Sequence, residues 1–202
     1  TLEGIGAAAQ VPAVLDFAVK TTEDSERKAA QKVLAAVCGR EPAAAAPVVA
    51  ALKAAQGAGR VALLDTAARI GGAEALAIAT NDAKSADDAL RIAAVKALAD
   101  WPDASAAESL LALASTTKDA KTRVLALRGY VRAAGLLAER TPATAATMLG
   151  KAWDLAANAD ERRLVLSGLG AVRDNAALAV IGKGLDLEEV REEAAAAAVG
   201  AC

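Results

Sequence analysis

Asp88-Ala89-Leu90-Arg91-Ile92-Ala93-Ala94-Val95-Lys96-Ala97-Leu98 is the stretch on which the fold turns. Counting from Arg91, the apolar residues Ala94, Val95 and Leu98 stand at the third, fourth and seventh places, which is one stripe of an α-helix. Asp88 stands three residues ahead of Arg91. An acid there suits a helix N-terminus, where it caps free N–H groups and opposes the positive end of the helix dipole. The arrangement returns at Arg27, Arg60, Arg123, Arg163 and Arg191, so the six arginines are spaced by 33, 31, 32, 40 and 28 residues. The third place after each is Ala30, Leu63, Ala94, Ala126, Leu166 and Ala194, and the seventh is Leu34, Ala67, Leu98, Tyr130, Gly170 and Ala198. The fourth place adds Leu64, Val95, Leu127 and Ala195, with Gln31 and Ser167 as polar exceptions. Acids stand three residues ahead at Asp24, Asp88, Asp160 and Glu188, and four ahead at Asp119.

Each unit therefore contains a helix B that begins near the acid. Between successive B helices lies a second periodic segment, helix A, over about Val11–Lys20, Ala43–Gln56, Ala73–Thr80, Ser105–Ser115, Pro142–Ala157 and Asn175–Gly184. Ser105 and Glu108 fit a capping box, and Thr141-Pro142 places a hydroxyl before a proline at the first helical position. Gly39, Gly71-Gly72 and Pro102 mark stops and turns. The longest interval, 40 residues, is expected to hold two extra helical turns, shared between Leu136–Arg140 and the following helix.

A hairpin of this length cannot bury its apolar stripe alone, but stacked neighbours share a continuous core. The fold class expected is all-α: an α-solenoid of about six helix pairs in a right-handed superhelix, covering 1–202 as one array. The pairs fall near 7–39, 42–70, 73–101, 103–138, 142–172 and 175–202. Leu2-Glu3-Gly4-Ile5-Gly6 matches Leu166-Ser167-Gly168-Leu169-Gly170, so residues 1–6 read as the tail of a preceding repeat, and the chain reads as a piece of a longer protein.

Composition supports this and narrows function. Of the 202 residues, 55% are apolar but only 2% aromatic, and alanine, the best helix former, makes up more than a quarter. A formal charge of −2 gives phosphate backbones little to bind, so nucleic acid is not an expected partner. The longest uncharged apolar runs, such as Ala43–Leu52, fall short of the roughly 20 residues of a membrane span. No histidine is present, which removes Ser-His-Asp and Cys-His catalysis and the commonest metal ligand.

Cys38 and Cys202 lie in the first and last repeats, about 40–50 Å apart if stacked pairs step by roughly 8–10 Å. No disulfide or zinc site is expected from them. Unpaired thiols hint at a reducing compartment. The adjacent acids Asp87-Asp88, Glu188-Glu189 and Glu192-Glu193 point about 100° apart on a helix and do not converge. Gly57-Ala58-Gly59-Arg60-Val61-Ala62 and Gly4-Ile5-Gly6-Ala7-Ala8-Ala9 fit a dinucleotide-loop spacing but follow no strand, so they read as inter-repeat turns. The arginine column is expected to pair with acids of its own or the next repeat, and Trp101 and Trp153 to plug gaps between repeats.

The Asp-x-x-Arg helix starts and the turns at Gly71-Gly72 and Gly168–Gly170 resemble the HEAT-repeat superfamily, in particular the short bacterial HEAT-like repeats related to phycobilin lyase proteins. Arg91–Asp103 and Thr122–Arg132 look like HEAT regions of large, often exported bacterial proteins, some joined to sugar-active or cytochrome-like modules. The resemblance implies a scaffold role and an extracytoplasmic setting, against the hint from the cysteines. In HEAT solenoids the B helices line the concave side. Five and nine places after each Arg, that side presents Lys32, Asp65, Arg69, Lys96, Asp100, Arg128 and Arg132. Lys96, Arg128 and Arg132 form its basic centre and are the candidate protein-binding residues.

The expectation is a non-catalytic interaction scaffold or spacer with no cofactor or metal, whose partner is another protein or a neighbouring domain of the same polypeptide. One alternative is a HEAT-fold enzyme of the alkylpurine DNA glycosylase type, against which the scarcity of aromatics and the net negative charge argue. Another is a spacer attached to a carbohydrate-active domain outside this chain.

Overall fold

The computed structural model describes residues 8–136 and 140–202, and every regular element among them is helical. The matched stretch Leu2–Gly6 lies outside the described residues. The A helices are α1 (Val11–Lys20), α3 (Ala46–Ala54), α5 (Ala73–Asp82), α7 (Ala107–Thr116), α9 (Pro142–Leu155) and α11 (Asn175–Leu185). The B helices are α2 (Asp24–Arg40), α4 (Gly57–Ile70), α6 (Asp88–Ala99), α8 (Ala120–Ala134), α10 (Ala159–Leu169) and α12 (Arg191–Ala201). Short 3₁₀ turns at Pro42–Ala45, Ala104–Ala106 and Glu188–Val190 lead into α3, α7 and α12.

The chain packs as two compact units, Thr1–Pro102 and Asp103–Cys202. Whereas the sequence reading drew the six pairs as one array, this boundary falls between the third pair and the fourth. In the first unit α1, α3 and α5 lie side by side as one layer, and α2, α4 and α6 as the other. In the second, α7, α9 and α11 form one layer and α8, α10 and α12 the other. The core is the seam between layers. The third-place column is buried in all six repeats, from Ala30 at 6% exposure to Ala194 at 0%.

The fourth place departs from expectation in three repeats. Ser167 and Ala195 are exposed, and Gln31 is buried. Gln31 is tolerated because its amide donates to Asp65 Oδ2 at 2.8 Å and to Thr66 Oγ1 at 3.3 Å on the next B helix. Small residues bring helices close. A Cβ on Gly200 of α12 would lie 2.6 Å from the Gly170 carbonyl oxygen at the end of α10. Gly71 and Gly72 join α4 to α5 at φ 77° and 95°, a region that side chains with a Cβ avoid.

Several capping assignments are corrected. Asp87 rather than Asp88 caps α6, accepting from the N–H of Ala89 and Leu90 at 2.8 and 3.1 Å. Asn158 rather than Asp160 caps α10, at 3.0 Å from Glu161 N. Asp24, Asp88 and Asp160 instead pair with the arginine one turn along their own helix, at 2.6, 2.6 and 3.0 Å. Asp119 does cap α8, and Thr141 caps α9 ahead of Pro142. The Ser105–Glu108 box does not form, because Ser105 sits inside the 3₁₀ turn and its N–H goes to Asp103 at 2.8 Å. Gly39 is not a stop, since α2 runs through it to Arg40. Part of the surplus of the long interval lengthens α9 to 14 residues, while Leu136 and Arg140 are not helical.

Leu98 is fully buried in the last turn of α6. Leu98→Ala is expected to cost about 2–5 kcal/mol and to lower the melting temperature by about 10 °C or more, measured by circular dichroism. An unchanged melting curve would contradict the placement of the stripe.

Candidate functional site

The arginine column is consumed by the architecture. Helices leave their last carbonyls without intrahelical partners; five of the six guanidiniums take up a carbonyl at or just beyond the end of an A helix, and Arg163 takes one in the 3₁₀ turn ahead of α12. Arg27 donates to Thr21 O at 2.7 Å, Arg60 to Leu52 O at 3.1 Å, Arg91 to Ser85 O at 3.1 Å and Arg191 to Leu185 O at 3.0 Å. Arg123 and Arg163 reach forward, to Leu155 O and Glu189 O, each at 2.6 Å. Acids complete the network. Arg60 grips Asp82 through Nε and Nη2 at 2.7 and 2.9 Å, and Arg163 bridges Asp160 and Glu193. Arg123 meets both oxygens of Glu161, one at 3.0 Å. The expected ladder is present in five of the six repeats, Arg191 making no ion pair among the described residues, and carbonyl capping is a second task that the spacing did not reveal.

Glu161 is 5% exposed. Burial alone would raise its carboxyl above the ordinary range. The hydrogen bond and charge of Arg123, with bonds from Ala157 N and Asn158, outweigh this and hold it below that range. Cys38 is buried, which pushes its thiol up and leaves it unreactive, and Cys202 is exposed; both are free. Trp101 and Trp153 are 1% and 8% exposed and fill gaps in the core as expected, with Arg162 lying 6.0 Å over the Trp153 ring. Among the described residues, no three His, Cys, Asp or Glu side chains are grouped to hold a metal, and no helix is long and apolar enough to cross a membrane.

Of the predicted binding residues, Arg128 and Arg132 lie one turn apart on α8 and are exposed. Lys96 is exposed on α6, in the other unit, where it borders a shallow groove with Val61, Asp65 and Asp100.

Two surfaces escaped the sequence reading. The first is an apolar groove of about 500 Å³ between α1 and α2, lined by Val14, Phe17, Ala29, Ala30 and Val33. Phe17 is 48% exposed. The second is a cleft of about 630 Å³ in the second unit, where one face of α7 meets Tyr130, Arg140, Met148 and Lys151. The signal for the first was a column six places after each arginine. Thr66, Ala97, Leu169 and Ala197 are buried at that place, and Val33 alone of these five is partly exposed. The signal for the second was the irregular 40-residue interval, which ends at Arg140 on the cleft wall.

No protein-family model matches the chain, and no curated protein matches it. Solved structures do. One engineered protein superposes with a TM-score of 0.50 at 17% identity, covering 95% of this chain and 96% of its own. A second engineered protein gives 0.48 at 17% identity, with 96% of this chain covering 58% of that one. The complex of CpcE and CpcF of phycocyanin lyase from Nostoc sp. PCC7120 gives 0.39 at 16% identity, covering 93% and 94%. With the helix pairs above, the fold is an all-α helical-repeat one, an α-solenoid built of hairpins.

Arg123→Met leaves the buried Glu161 carboxylate without its cation and is expected to destabilise the chain by about 3–5 kcal/mol in urea unfolding, while Arg123→Met with Glu161→Leu recovers most of the loss. Because the folded carboxyl of Glu161 titrates below the unfolded value of 4.5, its contribution is complete above about pH 4.5 and disappears as pH falls through the lower folded value. Glu161→Gln should therefore flatten the acid limb of the stability profile, and a limb as steep as that of the wild type would refute the assignment.

Proposed function

We propose that this chain is a non-catalytic interaction module of HEAT-like type, whose α1/α2 face receives a further helix pair from a neighbouring segment or a partner protein. The observation that carries this reading is the apolar groove with Phe17 exposed on its wall. Contiguous exposed apolar surface marks protein contact sites. The groove is also continuous with the stacking surface used inside each unit. At the equivalent of Val33, Thr66 meets Gln31 of the preceding B helix, and Ala197 packs on the backbone of Gly170 at the end of the preceding one. The occupant suited to Val33 and Phe17 is therefore the end of another small-residue B helix with its A partner. Such a module needs no cofactor. The polar groups of its repeats are committed to capping and to ion pairs, which supports a scaffold rather than an enzyme of the glycosylase type.

Arg128 and Arg132 on α8 add exposed positive charge to the B-helix layer of the second unit, and Lys96 on α6 to that of the first, and we assign each to contact with acidic protein surface.

Replacing residues 1–7 by a second copy of residues 42–70 supplies such a hairpin in cis at nearly the natural repeat spacing. The melting temperature should rise by about 5 °C or more, and Val33→Asp in the extended chain should cancel the gain. An extended chain no more stable than the parent would overturn the reading. Arg128→Glu with Arg132→Glu should abolish retention of the chain on poly-glutamate at low ionic strength with helix content unchanged. Equal retention would remove these residues from the surface.

A further inference from the structure

Two of the ion pairs that join neighbouring B helices follow one rule. Arg123 of α8 meets Glu161 of α10 at 3.0 Å, and Arg163 of α10 meets Glu193 of α12 at 2.7 Å. Glu161 and Glu193 are each the third residue of their helix, and each is reached by the column arginine of the B helix before it. At that place α4, α6 and α8 carry Gly59, Leu90 and Thr122, which cannot form such a pair. In α2 the third residue is Glu26, which is exposed, accepts from the Thr21 hydroxyl at 2.6 Å and makes no ion pair among the described residues. Arg191, the column arginine of α12, is exposed and donates to Leu185 O, with no acid beside it among the described residues. The chain thus holds one acceptor of this pair without its donor and one donor without its acceptor.

The apolar surfaces beside these two residues match as well. Glu26 stands on the wall of the groove between α1 and α2, with Phe17 and Val33. α12 packs on α10 and α11 and leaves Ala195, Ala196 and Val199 exposed, Val199 at 81%. Ala195 and Val199 are the fourth and eighth residues after Arg191. In α4 and α8 those places hold Leu64, Ala68, Leu127 and Val131, all buried, while in α10 they hold Ser167 and Ala171, both exposed. The stacking register links the two surfaces. Thr66, at the sixth place of its helix, meets Gln31 at the fourth place of the B helix before it. Val33 is at the sixth place of α2, and Ala195 at the fourth place of α12. Glu26 stands one residue before its own column arginine, between the positions of Glu161, two before, and Glu193, two after. One stacking step of the kind used within the units therefore brings Arg191 to Glu26 and Ala195 to Val33.

We propose that this chain binds a second copy of itself head to tail, the α12 face of one copy stacking on the α1/α2 face of the next. Arg191 of one copy pairs with Glu26 of the other, and Ala195 and Val199 cover Val33 and Phe17. The inference rests on the reading of the α1/α2 face given above and names its occupant. Because the two faces differ, the contact is heterologous, so each added copy brings a further face and association runs on or closes into a ring.

The experiment is analytical ultracentrifugation of the whole chain and of two variants, each with one face blocked. The average mass of the wild type should rise with concentration between about 1 and 300 μM, with a Kd of about 1–100 μM per contact. Val33→Asp blocks the α1/α2 face and Val199→Asp the α12 face, and each variant alone should stay monomeric. Mixed, they should form a one-to-one pair and nothing larger, since only one complementary pair of faces is left. Adding Arg191→Glu to the Val33→Asp chain should weaken that pair about tenfold, and adding Glu26→Arg to the Val199→Asp chain should restore most of the loss. If Val33→Asp fails to fold, Phe17→Glu on the same groove takes its place. The proposal is overturned if the wild type is monomeric throughout, if either blocked variant associates by itself as the wild type does, if the mixture does not pair, or if the charge reversals neither weaken nor restore it. A wild type that stays monomeric while the hairpin-extended chain gains stability would remove self-association and leave the reading of the α1/α2 face standing.

Discussion

The structure depends on a guanidinium placed where one helix ends and the next begins. A hairpin of two helices must turn the chain through a link that leaves carbonyls unpaired on the A side. In a stack of hairpins these links are pressed against neighbours, where water serves them poorly. Arginine answers this with five donors in a rigid fork, enough to serve a carbonyl and a carboxylate at once, which lysine cannot match geometrically. Arg60 shows the full arrangement, holding Leu52 O and Ala55 O with one nitrogen and Asp82 with two others. The desolvation of such a charge is offset only because every partner is present. The column therefore tolerates variation in which acid it finds, own helix or next, but not loss of the arginine.

Around this polar seam the packing follows from side-chain size. Alanine and glycine at the helix contacts let backbones approach until one Cβ would collide, as at Gly200 against Gly170 and at Gly184 against Ala194. Leucines at the third and seventh places fill what volume remains. Such a core is assembled from nearest neighbours, so each hairpin is stabilised by those beside it, and the α1/α2 face keeps the same kind of apolar side chain with no further described helix on it. Val33 is an ordinary sixth-place residue made conspicuous by location, with Phe17 across the groove from it.

Much of this was legible before any coordinates. The three- and seven-place stripe, the helix pairs and the structural use of the arginines all follow from periodicity, because a repeated contact must be written repeatedly. The failures are local competitions of similar energy. Asp87 and Asp88 are both able to cap, and the residue with extended backbone does so, which leaves Asp88 to the arginine. Gln31 looked like an interruption of the stripe because its partners, Asp65 and Thr66, lie a full repeat away. The sixth-place column stayed hidden because most of its members are small or polar, and their burial comes from a neighbouring helix rather than from their own hydrophobicity.

The same reasoning separates architecture from activity in a repeat protein. Wherever a side chain recurs in register, stacking is a sufficient cause for it, and no ligand has to be invoked. That removes the arginine column, the acids facing it and the buried tryptophans from the functional inventory, although taken singly each looks like site chemistry. What remains are residues that break register without improving the stack. Tyr130 replaces an apolar or small residue in the core column and gains no hydrogen bond among the described residues. Arg140 brings a charge against the core beside a thioether and no carboxylate. Arg140 still donates from Nη2 to Ala104 O at 3.1 Å, so its guanidinium is served in part by the 3₁₀ turn ahead of α7. A residue out of register therefore points to a ligand only where its polar groups are both reachable and unserved by the stack.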